Sequence, residues 1–372
     1  METGKNRVVS LEKDVLEMRI PGIQPVIDGH NDTLVNLYLP ERGGGRSFFD
    51  RTNTGHIDLP RAREAGLAAG FFSLFVPQHG PDSTNCLSIT GTGVRCWTAP
   101  PIDPGHARNL TEALMAELFR IVSRSDHQVG IVHTLSELRE CLDTGTLGVI
   151  MHLEGAEAID ASLNTLEVYY QAGLRSLGIV WSRPKIFGYG VPYLINHTPD
   201  TGPGLTDLGR ELVRVCNGMR IMLDLSHINE KGFWDVASLS TAPLVVSHSA
   251  AFDVTPSSRN LTGKQLRAIA ESGGVVGVTF FSRDIGAAGK SLPEASISDI
   301  VRHISFLTDL IGVDHVAFGS DFDGATVPSD LADVTGLPVL ISLLRKEGFD
   351  DEDIDKITHL NWIRVLEDTW GA

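Results

Sequence analysis

Short, nearly continuous apolar runs recur along this chain, and between them the pattern shifts to the three-to-four-residue spacing of amphipathic helices. The runs are Val26-Ile27 ahead of Asp28-Gly-His-Asn-Asp32, Leu67 to Pro77, Leu147 to Glu154, Arg175 to Trp181, Arg220 to His227, Pro243 to His248, Gly274 to Phe281 and His315 to Asp321. Apolar character that does not alternate is what strands buried on both faces of a parallel sheet require. Helices are predicted over 58–66, 106–125, 134–142, 206–218, 262–272 and 296–312, with others ending at Gly173 and Leu239. The stretch from Asp58 to Gly66 is the clearest of these, with a capping Asp, a Pro in the first turn and a closing Gly. A short amphipathic helix over 8–19 leads in, and helices over 336–347 and 350–368 close the chain. Residues 41–54, rich in Gly and Arg, read as a loop, and 78–104 as a long loop fit to act as a lid. Eight strand–helix units close most naturally as a (β/α)8 TIM barrel, a single domain over residues 1–372. A doubly wound open sheet is the competing arrangement, but no Gly-x-Gly-x-x-Gly turn follows the first strand.

Composition narrows the setting. No apolar run approaches the roughly 20 residues that span a bilayer. The segment from Met1 to Ile20 lacks the apolar centre of a secretory signal, so a cytoplasmic protein is expected. The net charge of −16, with no concentrated Lys and Arg, argues against nucleic acid as a partner. Cys86, Cys96, Cys141 and Cys216 show no Cys-x-x-Cys spacing; Cys86 and Cys96 share one loop and could pair, but in a reducing compartment two free thiols are the expected state.

In such a barrel the C-terminal strand ends form the active-site face. His30 and Asp32 stand two residues apart and so leave the first strand on one side. The third strand ends in Glu154, the fifth in His227, the sixth in His248 and the eighth in Asp321. Each has an ordinary explanation alone: a capping Asp beside a satisfied histidine, a core histidine at 248, a turn cap ahead of Gly324. Six such groups at the same relative place on five of eight strands are hard to assign to capping. Imidazole with carboxylate is a donor set that suits zinc and its first-row neighbours. Five donors exceed the three that one catalytic zinc with an open position uses. A pair of ions about 3.5–4 Å apart, bridged by a carboxylate and sharing a hydroxide nucleophile, accommodates them.

The segments Asp28-Gly-His-Asn-Asp32, Glu154-Gly, Leu225-Ser-His227, Ser247-His-Ser249, Arg259-Asn260 and Gly319-Ser-Asp-Phe-Asp-Gly324 together resemble the membrane (renal) dipeptidase family, peptidase family M19 of the amidohydrolase superfamily. The likeness runs through essentially the whole barrel, in the family's order. It implies a barrel of the metallo-dependent hydrolase type and two Zn2+ per chain, for which other first-row divalent ions could substitute. One ion would be held by His30, Asp32 and Glu154, the other by Glu154, His227 and His248, with Glu154 bridging. Asp321 matches the aspartate that handles the proton of the bridging water. Arg259 matches the arginine that holds the substrate's terminal carboxylate, with Asn260 beside it; the alternative for Arg259 is an ion pair with Asp253. The chain departs from the family at Val180-Trp181-Ser182, where Thr-His-Ser is usual. Trp181 would then either donate an indole hydrogen bond to the substrate, without the charge a histidine can carry, or simply pack beneath the lid. The segment 188–204 replaces family substrate-loop contacts and should alter specificity.

The function expected is hydrolysis of the peptide bond of small dipeptides, L,D-dipeptides included, by a metal-bridging hydroxide. The alternatives are another amidohydrolase reaction, on a lactone, an N-acyl amino acid or a cyclic amide, or an inactive ligand-binding relative. Retention of all five donors together with Asp321 speaks against the last. A homodimer is compatible with the sequence, which does not fix the oligomeric state.

Overall fold

The computed structural model describes residues 23–78, 87–90, 93–96, 99–286 and 295–371. The helix expected over 8–19 and Cys86 lie outside these residues, as does the side chain of Cys96. Eight parallel strands follow one another around the sheet: β1 Val26–Asn31, β2 Leu67–Ser73, β3 Leu147–Glu154, β4 Leu174–Gly178, β5 Met222–Asp224, β6 Val245–Ser249, β7 Val275–Val278 and β8 Val316–Phe318. Each pairs with the next, and a parallel bridge between Asn31 and Phe322 joins the end of the sheet to its beginning. Asp32 N donates to Phe322 O at 2.8 Å and Asp321 N to His30 O at 3.0 Å across that seam. The result is the (β/α)8 barrel expected from the eight apolar runs, with helices alternating outside it. A short strand, Val129–Ile131, pairs with the lower half of β3, while β4 takes the upper half.

Local chemistry accounts for the helix ends. Asp58 accepts from Arg61 N, and Gly66 closes that helix at φ 78°, the left-handed conformation glycine adopts without strain. Thr134 and Glu137 form a reciprocal capping box. Three expectations need correcting. The long loop over 78–104 contains an antiparallel hairpin, Leu87–Thr90 with Gly93–Cys96. The closing helix over 350–368 is three pieces, Asp351–Asp355, a π-helical turn Lys356–Leu360 and Asn361–Trp370. A helix, Thr33–Tyr38, follows β1 at once, where none was expected.

Trp362, on the last of those helices, plugs the bottom of the barrel. It is fully buried, its ring lies 5.0 Å from Phe71, and its indole N–H donates to Phe318 O at 3.0 Å. Truncating a buried tryptophan costs about 3–5 kcal/mol, so this plug is a substantial part of barrel stability. It also explains Gly29 in the first strand, where a Cβ would run into the Trp362 ring and the Ser247 carbonyl. Cys141 and Cys216 are buried free thiols, pushed up to about 11 and about 12 by burial. No helix among the described residues is long and apolar enough to cross a membrane.

Candidate metal centre

The upper ends of β1, β3, β5, β6 and β8 converge on Glu154. Its Oε2 lies 3.4 Å from His30 Nε2, and its Oε1 lies 3.0 Å from His227 Nε2 and 3.7 Å from His248 Nε2. His30 Nε2 is 3.8 Å from Asp32 Oδ1, and the Nε2 atoms of His227 and His248 face each other at 3.0 Å. One carboxylate therefore touches donors on both sides, and all five groups are buried. The donor atoms of His30, Glu154 and His248 lie within 4.8 Å of one another, so that trio spans both expected ligand sets. His227 and Asp321 lie just past their strands rather than on them. On β5 the cause is local: Asp224 Oδ1 accepts from Ser226 N at 3.1 Å and turns the chain out of the ladder.

The donors suit cations. Burial works against a charged His30, but Glu154, Asp321 and Asp32 outweigh it and raise the imidazole from 6.5 to about 10. Burial, with the Glu154 charge beside it, raises Asp32 to about 6. Burial and the Arg259 charge lower His227 to about 4, and burial with His30 and His227 nearby holds His248 well below its ordinary value. Neutral imidazoles of this kind are ready donors, and the crowded carboxylates call for positive charge. Asp32 Oδ1 has no hydrogen-bond partner among the described residues, although it is buried. An orphaned carboxylate oxygen among imidazole nitrogens fits divalent metal.

Asp321 is half-buried and adopts the left-handed conformation at φ 60°. Burial, with Asp32 and Glu154 close by, pushes its carboxyl well above the usual range. Its carboxylate and that of Asp32 both crowd Gly324, where a Cβ would collide with them. Arg259 is buried and does not pair with Asp253; its Nη1 donates to Ser226 O and its Nη2 to His248 O at 3.3 Å. The same Nη2 is 3.3 Å from His227 Nε2, so the guanidinium adjoins the donor cluster, and its Nε has no partner among the described residues. Asn260 commits its amide N–H groups to Thr255 O and Asp284 O, at 2.8 and 2.7 Å, and leaves Oδ1 to offer. Trp181 lies 5.1 Å from Phe75 and 5.7 Å from His227, with the Arg183 guanidinium 4.5 Å from its ring.

Sequence reasoning passed over Asp224 and His152. Both are buried on barrel strands, with Asp224 accepting from Ser247 and His152 bonded to Ser176 Oγ at 2.8 Å. Their signal was present: a carboxylate and an imidazole inside otherwise apolar strand runs. Arg42, 3.5 Å from Asp32 Oδ2, gave no such signal because it adjoins a Gly-rich run, at the end of the 3-10 turn Pro40–Arg42.

A parallel barrel with imidazoles and carboxylates gathered at its C-terminal mouth defines a metal-dependent hydrolase. The sequence model of the membrane dipeptidase family, peptidase family M19, matches residues 18–370, and the chain belongs to that family. It is a hydrolase of the metallo-dipeptidase type, and a metal cofactor comes with the family. Two solved structures share the fold closely. One, a dipeptidase AC described as a metallopeptidase of family M19, is 45% identical, with 94% of this chain and 99% of that one covered, at a TM-score of 0.86. The other, a metallopeptidase from Rhodobacter sphaeroides bound to a phosphinate mimic of the dipeptide L-Ala-D-Ala, is 43% identical over 94% of this chain and 100% of that one, also at 0.86. Dipeptidase tcpJ of Claviceps purpurea (strain 20.1) is 25% identical, covering 97% of this chain and 80% of its own.

Proposed function

We propose that this chain is a binuclear zinc dipeptidase acting on small dipeptides with a free C-terminal carboxylate, L,D-dipeptides among them. The observation that carries the reading is the contact of Glu154 with donors on both sides, His30 on one and His227 and His248 on the other. His30, Asp32 and Glu154 would hold one ion, and Glu154, His227 and His248 the other. Bound there, the ions supply Lewis acidity, which makes water a better nucleophile and polarises the scissile carbonyl. Arg259, whose Nε has no partner among the described residues, would offer its charge and that donor to the substrate's terminal carboxylate and so set the peptide bond beside His227. Asn260 holds the loop that carries Arg259. Asp321 accepts a proton from water and returns it to the leaving amine nitrogen. Trp181 forms an apolar wall of the mouth. A cytoplasmic location and a single barrel domain complete the reading, and the phosphinate dipeptide mimic on the Rhodobacter relative accords with the substrate class.

The test compares Ala-Ala, in L,L and L,D forms, with the same peptides amidated at the C-terminus, on enzyme whose metal content is measured. Free acids should be cleaved and the amides should lose most of kcat/KM. If the amides are cleaved as well as the acids, the dipeptidase reading falls, and hydrolysis of a lactone, an N-acyl amino acid or a cyclic amide moves ahead.

A further inference from the structure

The two sides of the donor cluster are held very differently from behind. On the side of β5 and β6 both imidazole Nδ1 atoms have hydroxyl partners. Ser182 Oγ lies 2.9 Å from Nδ1 of His227, and Ser247 Oγ lies 2.8 Å from Nδ1 of His248. Ser247 Oγ also donates to Asp224 Oδ2 at 2.7 Å. A hydroxyl has one proton, so with that proton on Asp224 the bond to His248 must run from Nδ1–H to Ser247 Oγ. This selects the tautomer whose Nε2 lone pair faces Glu154 and His227. Asp224 does more than receive that one proton. Its Oδ1 accepts from Ser247 N at 2.7 Å and from Ser226 Oγ at 2.6 Å, and Ser226 Oγ in turn accepts from His248 N at 3.1 Å. The backbone and the ring of His248 are thus both tied to one buried carboxylate.

Behind β1 a buried carboxylate ties the backbone but not the ring: Asp28 accepts from Ser320 N at 2.7 Å and from Ser320 Oγ at 2.9 Å, and Ser320 Oγ lies 3.1 Å from His30 O. His30 Nδ1 is buried and has no hydrogen-bond partner among the described residues. At Nδ1 its ring meets only packing, 3.9 Å from the His248 ring and 5.3 Å from that of His152, and its one polar anchor is the contact of Nε2 with the carboxylates of the cluster, 3.4 Å from Glu154 Oε2. Asp32 meets Arg42 at 3.5 Å through a side chain that is 31% exposed.

We infer that Asp224 is a positioning residue that acts through Ser247 on His248, and that the His227 and His248 side therefore binds its divalent ion more tightly than the His30 and Asp32 side. The inference rests on the two-metal reading above. A donor already oriented in the correct tautomer loses little freedom when the ion arrives, whereas an untethered imidazole must be ordered at that moment. Removing an outer partner of a metal-ligating histidine typically weakens the ion by 10–100-fold.

The experiment titrates metal-free full-length protein with Zn2+ against a chromophoric chelator, for the wild type, Asp224→Asn and Ser247→Ala. Thermal melting of each metal-free variant reports whether it is folded. The wild type should take two ions with separated affinities. Asp224→Asn should weaken the tighter step by roughly 10–100-fold and leave the weaker step within about threefold. Ser247→Ala should weaken the same step, which keeps the inference testable should Asp224→Asn fail to fold. Two ions of equal affinity in the wild type would overturn the inference, as would variants that keep the tighter step or that weaken only the looser one. A wild type that never takes a second ion would overturn the two-metal reading itself, and the inference with it.

Discussion

The strand ends and the loops above them reach the donor cluster by different means. His30, Glu154 and His248 sit on β1, β3 and β6, whose neighbours in the sheet fix their height and direction. Trp181, Arg259 and Asn260 sit on connections held by scattered tethers. The segment around Leu194 is stitched to Ser258 by two hydrogen bonds, Val191 N donates to His227 O at 2.8 Å, and single bridges join Gly190 to Ile228 and Ile195 to Ser257. A group on a ladder has one position available, while a group on a tethered loop can be moved by a change in any of its tethers. Three of the five proposed metal donors are on the first kind of support, Asp32 and His227 lie just past their strands, and the proposed substrate contact Arg259 is on the second. Changes at the strand ends should therefore abolish chemistry, and changes in the loops should retune it.

The largest effect is expected at Glu154. Glu154→Gln keeps the shape of the side chain but replaces one of two anionic oxygens with an amide, so it can no longer serve donors on both sides. At least one ion should be lost, and kcat should fall by roughly 10⁴-fold or more, beyond the range for removing a proton-transfer group. Elemental analysis of the variant checks the first part. A variant that retained two ions and substantial turnover would erase the distinction between the strand ends and the loops.

That distinction also marks what could be read from the chain. Strand order, the closed barrel and the positions of His30, Glu154 and His248 follow from repetition and spacing, which are local in sequence. Asp224 was legible in principle, as a carboxylate within Ile221-Met-Leu-Asp-Leu225, but its partner Ser247 is 23 residues away and no pattern links them. The tether between Leu194 and Ser258 spans 64 residues and involves a backbone group and a serine, so nothing in composition announces it. The unexpected helix at Thr33–Tyr38 begins right after Asp32, whose place in the donor pattern masked its place as the residue before a helix. The break in the last helix at Lys356–Leu360 has no proline or glycine to signal it.

Asp321 comes next in size. It lies beyond β8 but is pinned to the barrel seam by its own backbone, through His30 O. Asp321→Asn should leave metal content and melting temperature near those of the wild type while turnover falls by roughly 10²–10⁴-fold, the range for removing a positioned general acid–base. Near-normal turnover with both ions present would take Asp321 out of proton transfer and leave it a structural part of the seam.

Arg259 is the strongest of the loop groups. Arg259→Met should cost about 3 kcal/mol in kcat/KM for a free-acid dipeptide, on the order of 10²-fold, since it removes one side of a buried charged contact. Amidating the substrate deletes the other side of the same contact, so the variant and the amide together should lose little more than either alone. Fully additive losses would mean that the guanidinium and the terminal carboxylate act separately, and that Arg259 serves mainly to brace the carbonyls of Ser226 and His248.

The smallest effect is expected at Trp181, which the resemblance to the family places where a histidine is usual. Its ring is flanked by Phe75 and Tyr193, at 5.1 and 6.2 Å, and by the Arg183 guanidinium at 4.5 Å. Those contacts use the face and edge of the indole, and another aromatic ring can reproduce most of them. Trp181→Phe should therefore lower kcat/KM by less than about tenfold, with metal content unchanged, while Trp181→Ala should cost more because the Arg183 contact is lost as well. An indole N–H that stabilised the developing oxyanion would behave differently, since removing one such donor costs about 10²–10³-fold in kcat. The ratio of Phe to Ala variants separates the two roles: a hydrogen-bonding role makes them equally poor, whereas packing makes Phe much the better. Equal and large losses would move Trp181 from the wall of the mouth into the chemistry, and would show that this loop had been given a task usually left to a charged side chain.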